Sequence, residues 1–320
     1  MAYPTPAVTV TTAEKFIPEI WSDEIVAAYK KNLVLANIVM KMNFKGKKGD
    51  TVHIPAPTRG SASAKAASTA VTLIADTETE VLVSINQHFE YSRFIEDIVE
   101  AQALNSLRQF YTADAGYALA KQVDTSLIQL GRAFNGATVG TNDYATSNTS
   151  TKAFIGGDGT TAYNSTSSNA SALTDAAIRR TIQRLDDNDT PMDGRFFVIP
   201  PSSRNTLMGL SRYTEQAFVG NGNAIRTGEI GQLYGIPVFT SSNADTGAGN
   251  STTDRICLMG HKDAMVLVEQ VGIRSQTQYK QDYLATLFTS DTLYGVKAMR
   301  TAATTGAALS SSAFALAVPA

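Results

Sequence analysis

The residues with which this chain could do chemistry are few and scattered. His53, His88 and His261 stand tens of positions apart, and none has a Cys, Asp or Glu partner at the spacing a zinc site uses, so the pattern holds no metal site. Asp186-Asp187-Asn188-Asp189 begins an acidic stretch reaching Asp193 that invites a calcium reading. Its best frame, however, puts Pro191 where an EF-hand loop needs Gly and Phe197 where it needs a bidentate Glu, which leaves an acidic turn. Gly157-Asp158-Gly159-Thr160-Thr161-Ala162 fits the loose dinucleotide fingerprint but neither follows an apolar strand nor opens a helix, so it carries no cofactor. Cys257 lies in the apolar run Arg255-Ile256-Cys257-Leu258-Met259 and reads as a small buried hydrophobe rather than a reactive thiol. With no G-x-S-x-G elbow, no Walker A loop and no H-E-x-x-H, the hydrolase and phosphoryl-transfer classes lack their minimal parts. The expectation is a protein that is not an enzyme and needs no cofactor.

Composition narrows the classes further. The 320 residues are 43% hydrophobic, enough for one large or two ordinary cores. Twenty-seven basic against 29 acidic residues give a net charge of -2, with no global basic field of the sort that drives tight nucleic-acid binding. A single cysteine makes no intrachain disulfide. The Pro- and Thr-rich start lacks a signal peptide's basic and apolar parts, and no run is long and apolar enough to span a bilayer. The expectation is therefore neither secretion nor a membrane, so sequons such as Asn148-Thr149-Ser150 carry no glycosylation meaning.

The elements that must position whatever function exists can be read along the chain. Residues 1–15, with Pro4 and Pro6, favour an extended arm lying on a neighbour or mobile. From Phe16 to Met42 the spacing of Trp21, Ile25, Tyr29, Leu33 and Ile38 predicts helix. Lys30, Lys31, Lys41, Lys45, Lys47 and Lys48 fall here without an intervening acid. They make either a solvated helix face or a locally basic surface for packaged DNA or an acidic partner. Gly49 to Pro55 predicts a strand, and Val81, Val83 and Ile85 predict a second by strict alternation. The small and polar residues between them describe a long protruding hairpin, marginal in isolation and so held by another subunit.

After Gln87 the spacing of Phe94, Ile98, Leu104, Leu107, Tyr111, Ala115, Leu119, Val123 and Leu127 predicts one helix over 92–134, a rod of roughly 65 Å that Gly116 or Gly131 bends or ends. Residues 136–172 have the composition of a polar surface insertion. A helix follows from Leu173 through Leu185, capped by Thr174 or Ser171, and the acidic turn ends it before a strand at Arg195–Ile199. Further on, a helix over 202–210, a Gly-rich loop at 220–231 and strands near 255–259, 264–268 and 292–300 complete an α+β pattern, and the tail beyond Gly306 is Ala- and Ser-rich.

The segment Thr227-Gly228-Glu229-Ile230-Gly231-Gln232-Leu233-Tyr234-Gly235-Ile236-Pro237-Val238-Phe239-Thr240-Ser241 combines a Gly-punctuated turn with a short strand begun by Pro237, which suits the start of an edge strand. It resembles the major capsid proteins of tailed phages of the Hong Kong 97 type. So do the runs Gly49 to Pro55, Ile85-Asn86-Gln87, Ile95-Glu96-Asp97-Ile98-Val99-Glu100-Ala101-Gln102-Ala103 and Leu293-Tyr294-Gly295-Val296-Lys297, and the order of elements spans nearly the whole chain.

The resemblance implies the Hong Kong 97-type capsid fold. Its parts would be an N-terminal arm over 1–40, an extended loop with flanking strands over 41–90, and a peripheral domain with spine helix and polar insertion over 91–172. An axial domain over 173–290 and a return with C-terminal tail over 291–320 complete the map. Candidate inter-subunit residues are Arg59, Lys65, Glu78 and Glu80 in the extended loop and Gly220, Asn221, Gly222 and Asn223 at a symmetry axis; Lys30, Lys31, Lys41, Lys45, Lys47 and Lys48 are candidates for an inner basic surface.

The implied partners are copies of the chain in pentamers and hexamers, a portal, a decoration protein, and double-stranded DNA touched without sequence preference in a virion built in the bacterial cytoplasm. Only about 15 residues precede the first amphipathic segment, which favours a separate scaffolding protein over a fused one. Lys65 is the one lysine of the loop proper, about 55–87, but no asparagine acceptor can be matched to it, so covalent crosslinking is not carried over. An encapsulin-like compartment and a β-rich tail or adhesin component are the alternative classes.

Overall fold

The computed structural model describes residues 34–45, 48–57, 62–71, 73, 78–96, 106–134, 153–163, 169–210, 231–244, 254–299 and 312–320. A short helix α1 (Leu35–Ile38) leads into β1 (Met40–Asn43), followed by β2 (Thr51–Pro57), β3 (Glu78–Ser84) and β4 (Gln87–Glu96). Then come the long helix α2 (Ser106–Gln129), the turn α3 (Gly131–Phe134) and β5 (Phe154–Ile155). The chain continues through α4 (Asp175–Asp187), β6 (Arg195–Ile199), α5 (Pro201–Met208), β7 (Gln232–Leu233) and β8 (Ile236–Thr240). It closes with β9 (Arg255–His261), β10 (Met265–Lys280), β11 (Ala285–Ala298) and β12 (Ala313–Val318).

These strands form three sheets: six strands in the order β5-β12-β9-β6-β8-β7, four in the order β1-β10-β11-β4, and the hairpin β2-β3. In β6 all five residues are buried, and Phe196 to Ile199 are continuously apolar, the pattern of a strand covered on both faces. Helix α4 lies against that sheet with Ala177, Ile178 and Leu185 buried, and its N-terminus is capped by the Thr174 hydroxyl, which accepts from the Ala177 amide as expected for a threonine at that position.

The last strand corrects the expectation of a C-terminal tail. Ala313-Phe314-Ala315-Leu316-Ala317-Val318 is buried at every residue, parallel to β5 and antiparallel to β9. Phe314, Leu316 and Val318 join the core under α4, while Ala315 and Ala317 pack with Ala153, Tyr163 and Ile256 on the other face. The alanines suit a tight interface, since a Cβ added to Gly260 would lie 2.5 Å from that of Ala313.

The same strand brings part of the expected polar insertion inside. Ala153, Phe154, Ile155 and Tyr163 are all buried, so the stretch over 136–172 is not wholly surface. The expected boundary between axial and returning segments also moves. Both β10 and β11 belong to the four-stranded sheet, so the chain leaves the six-stranded sheet after His261 rather than near 291.

The expected helix over 92–134 is overturned in its first part. Gln87–Glu96 is a strand in unbroken antiparallel register with β11, from Gln87 opposite Tyr294 to Glu96 opposite Ala285. The expected division at 90/91 cuts through it. Helix begins among the described residues at Ser106 and breaks at Leu130, beside Gly131. At the other end, Leu35–Ile38 is helical but Met40–Asn43 is a strand, so the helix predicted to reach Met42 stops earlier.

Adjacent residues of β10 face opposite ways and show how the layers stack. Met265 and Leu267 join Leu127 and Ile128 of α2, together with Leu35, Phe196 and Leu258, so this core links both larger sheets. Val266 and Val268 join Val83 and Ile85 at the base of the β2-β3 hairpin. The four-stranded sheet thus lies between the long helix and the hairpin.

Candidate assembly surfaces

The hairpin β2-β3 has two faces that its sequence separates by alternation. Val81 and Val83 point onto the chain's own sheet and are buried, as is Ile85 just beyond the strand. His53, Leu82, Pro55 and Glu80 point away and are exposed. His53 Nδ1 lies 2.8 Å from Glu80 Oε2 across the strands, an exposed pair of modest energetic weight. The expectation that a neighbour must hold the whole hairpin is refined here, because the base is held by its own chain through Val266 and Val268.

Beyond the base, every described residue from Ala62 to Val71, and Leu73, is exposed. Val71 is 68% and Leu73 87% exposed, although both are large and apolar. Lys65 lies in this stretch, whereas Arg59 and the Glu78 side chain lie outside the described residues.

A second projection is the far half of β10 and β11 with β4. Register shifts between Glu269 and Val271 and between Val271 and Arg274 mark where the strands leave the core. Phe94, Tyr283 and Leu284 are 55%, 70% and 65% exposed, with the Phe94 and Tyr283 rings 5.6 Å apart. One face carries a shallow groove of about 610 Å³ lined by Gln276, Thr277, Gln278, Leu287 and Thr289. On the same face Arg274 Nε donates to Asp291 Oδ1 at 2.8 Å, and this hydrogen bond lowers the Asp291 pKa.

The opposite face rests on α2. Tyr91 Oη donates to Asp114 Oδ2 at 3.1 Å, and the Arg93 guanidinium lies 4.5 Å from the Tyr111 ring centre. Burial and that bond to Asp114 raise the Tyr91 pKa. Sequence reading missed this projection because it took β4 for helix.

The root of the N-terminal arm was also missed. Asp124, fully buried on α2, accepts through Oδ1 from the amides of Val34, Leu35 and Ala36 at 3.3, 2.8 and 3.3 Å. Its Oδ2 accepts from Asn243 Nδ2 at 3.1 Å. The signal available in the sequence was an aspartate set between Val123 and Leu127 on an apolar helix face.

Of the candidate basic surface, Lys41, Lys45 and Lys48 are exposed, and Lys45 Nζ lies 3.8 Å from Glu269. Lys30, Lys31 and Lys47, and the axial candidates Gly220, Asn221, Gly222 and Asn223, lie outside the described residues.

The motifs set aside in the sequence have structural roles. The acidic turn closes on the buried Arg195, whose Nη2 donates to Asp186 Oδ1 at 2.7 Å and to the Thr190 carbonyl, while Nε donates to the Pro191 carbonyl. In the Gly157–Ala162 loop, Asp158 accepts from the amides of Thr160 and Thr161 and from the Thr161 hydroxyl. Partial burial pushes the Asp158 pKa up, but these bonds outweigh it and hold it at about 2. Burial pushes the Cys257 thiol up to about 12. His261 donates from Nε2 to the Asp193 carbonyl and accepts at Nδ1 from the Asp263 amide, which fixes the orientation of the ring. Among the described residues no group of three or more His, Cys, Asp or Glu could hold a metal ion, and no helix is long and apolar enough to cross a membrane.

A family model described as phage capsid protein matches residues 21–304. The chain belongs to the phage capsid protein family. The solved structures agree on the fold of this capsid chain. A chain from Mycobacterium phage Che8 superposes with a TM-score of 0.72 at 22% identity, covering 94% of this chain and 97% of that one. The capsid of cyanophage P-SCSP1u gives 0.69 at 19% identity over 96% and 94%, and the mature capsid of bacteriophage PhiM1 gives 0.69 at 14% identity over 94% and 92%. The fold is the Hong Kong 97-type capsid fold, and the family is one of virion structural proteins rather than enzymes. No curated protein sequence matches.

Proposed function

We propose that this capsid protein is the repeating subunit of an icosahedral phage head, assembling as pentamers and hexamers around packaged double-stranded DNA. The observation that supports this most is the division of the β2-β3 hairpin into an anchored base and an uncovered reach. Val83 is fully buried against the chain's own sheet, while Val71 and Leu73 project with most of their apolar surface in water. A chain alone gains nothing from that arrangement, whereas a neighbour passing under the reach covers it. Each subunit then gives one loop and receives another, a head-to-tail contact that closes into rings. Modest contacts made many times over hold the shell.

In this reading Arg59, Lys65, Glu78 and Glu80 meet the neighbour, and the Gly220–Asn223 loop lies near the ring axis. The exposed Lys41, Lys45 and Lys48, with Lys30, Lys31 and Lys47, face phosphate as a local patch, since the net charge of -2 gives no global attraction. A separate scaffolding protein, a portal and a decoration protein complete the head, which is built in the bacterial cytoplasm. The test replaces residues 58–77 with a short Gly-Ser link. The expected product sediments as single folded subunits; shells at wild-type yield from this variant would contradict the reading.

A further inference from the structure

We infer that the groove on the projection formed by β10, β11 and β4 is a binding site for a neutral saccharide. The carbon-bound faces of the sugar rings lie on Leu287 and Phe94, and the hydroxyls meet the carboxamides of Gln276 and Gln278. The site lies within one chain, so the inference stands apart from the shell reading above.

The strand register builds this site. Residues directly opposite one another on paired strands share a face. Gln276, Thr289 and Ser92 therefore form one row across the three strands, and Gln278, Leu287 and Phe94 form the next. Both rows lie on the face turned away from α2, since Tyr91 and Arg93 make the contacts to that helix. The ladder from Arg274 to Lys280 is unbroken, so paired backbone holds the two glutamines in place.

A solvated sheet face is the plain alternative, and composition argues against it. Protein surfaces are ordinarily about 25–35% charged, yet neither row carries a charge. The second row also leaves apolar surface bare. Phe94 is 55% exposed, and its ring centre lies 5.6 Å from that of Tyr283, itself 70% exposed. The groove measures about 610 Å³, within the roughly 300–1,000 Å³ usual for small-ligand sites.

Charge is confined to the rim and is matched there. At one end Arg274 donates from Nε and Nη2 to the two Asp291 oxygens at 2.8 and 2.9 Å, with Glu90 in the same row. At the other end Lys280 and Glu96 stand on either side of Ala285. A phosphate or carboxylate would find the guanidinium taken and a second carboxylate beside it. A neutral polyol meets no such obstacle.

The floor offers what a sugar needs. Each hydroxyl of a saccharide both donates and accepts, and a glutamine carboxamide supplies one acceptor oxygen and two donor hydrogens, to which the Thr289 hydroxyl adds one of each. Gln276 and Gln278 are exposed and two residues apart, about 7 Å along a strand, so the pair spans more than one ring position. Leu287, half-buried between Gln278 and Phe94, continues the aromatic surface as an apolar floor.

Equilibrium dialysis of fluorescently labelled maltotetraose, cellotetraose, mannotetraose and galactotetraose tests this, against the purified chain and against assembled particles. At least one tetrasaccharide should bind both forms. Gln276→Ala and Gln278→Ala should each weaken that binding about tenfold. Phe94→Ala should weaken it about fivefold. Thermal unfolding should not move in these variants, because all three side chains are exposed. Inorganic phosphate should not compete. Beads coated with amylose, cellulose, mannan or galactan separate the sources of the sugar: capture assigns the site to a surface polysaccharide, and tetrasaccharide binding without capture assigns it to free oligosaccharide. No binding of any tetrasaccharide by either form would overturn the inference, as would binding that all three variants keep. Binding by the unassembled chain that particles lack would overturn it too, since a neighbouring copy would then cover the face. Failure to form particles would count against the shell reading alone, because dialysis against the chain still decides the site.

Discussion

The Leu35 amide donates to Asp124 Oδ1 at 2.8 Å, joining the root of the N-terminal arm to the long helix across 89 positions of sequence. The carboxylate has no formal counter-ion among its hydrogen-bond partners; three backbone amides and the Asn243 amide group balance it. Asp124→Ala strands these donors in a buried site and should cost about 3 kcal/mol. Asp124→Asn keeps the acceptor toward Leu35 but turns a donor toward Asn243, so its cost should fall between wild type and alanine. Chemical denaturation of the unassembled chain measures both.

Arg195 predicts a comparable loss in the six-stranded sheet. Its side chain is only 4% exposed, and it holds the Asp186–Pro191 turn through one carboxylate and two carbonyls. Arg195→Ala should destabilise the chain by about 3 kcal/mol, and Arg195→Lys should recover little of it, because one ammonium cannot span partners placed for a guanidinium fork. Denaturation midpoints of the two variants check this.

The C-terminal strand gives a third expectation. Leu316 is fully buried beside α4, so Leu316→Ala should cost 2–5 kcal/mol by the usual range for core leucines, and removing residues 312–320 should leave insoluble chain. Soluble, cooperatively unfolding protein from that truncation would show that β12 is dispensable.

Acid should act partly through Asp158. Its pKa is depressed from 3.8 to about 2, so its contribution to stability is present above pH 4 and is lost as pH falls from about 4 toward 2. The melting-temperature difference between wild type and Asp158→Ala should therefore be constant above pH 4 and shrink below it. A difference that stays constant down to pH 2 would contradict the assignment.

Much of this fold is legible in the sequence where a single face is buried. Val81, Val83 and Ile85 alternate because one side of the hairpin meets the sheet, and the Thr174 cap and apolar spacing of α4 follow from one face meeting β6 and β12. The misread elements have other causes. Phe94 and Ile98 stand four apart, so the helical spacing beyond Ile98 seemed to extend back into β4, whose Phe89, Tyr91 and Ile95 keep a strand's alternation. In β12 Ala313 packs closely on Gly260 while Ala315 and Ala317 pack with Ala153, Tyr163 and Ile256, so a core strand has the composition of a tail. Asp124 was hidden for a different reason, since its partners are backbone amides that no side-chain pattern reveals.

The central claim is that copies of this chain close into a shell, and electron microscopy of the purified protein, with and without a co-expressed candidate scaffold, tests it most directly. The account predicts closed polyhedral particles or curved sheets of five- and six-membered rings. A protein that stays monomeric and dispersed under both conditions would contradict it.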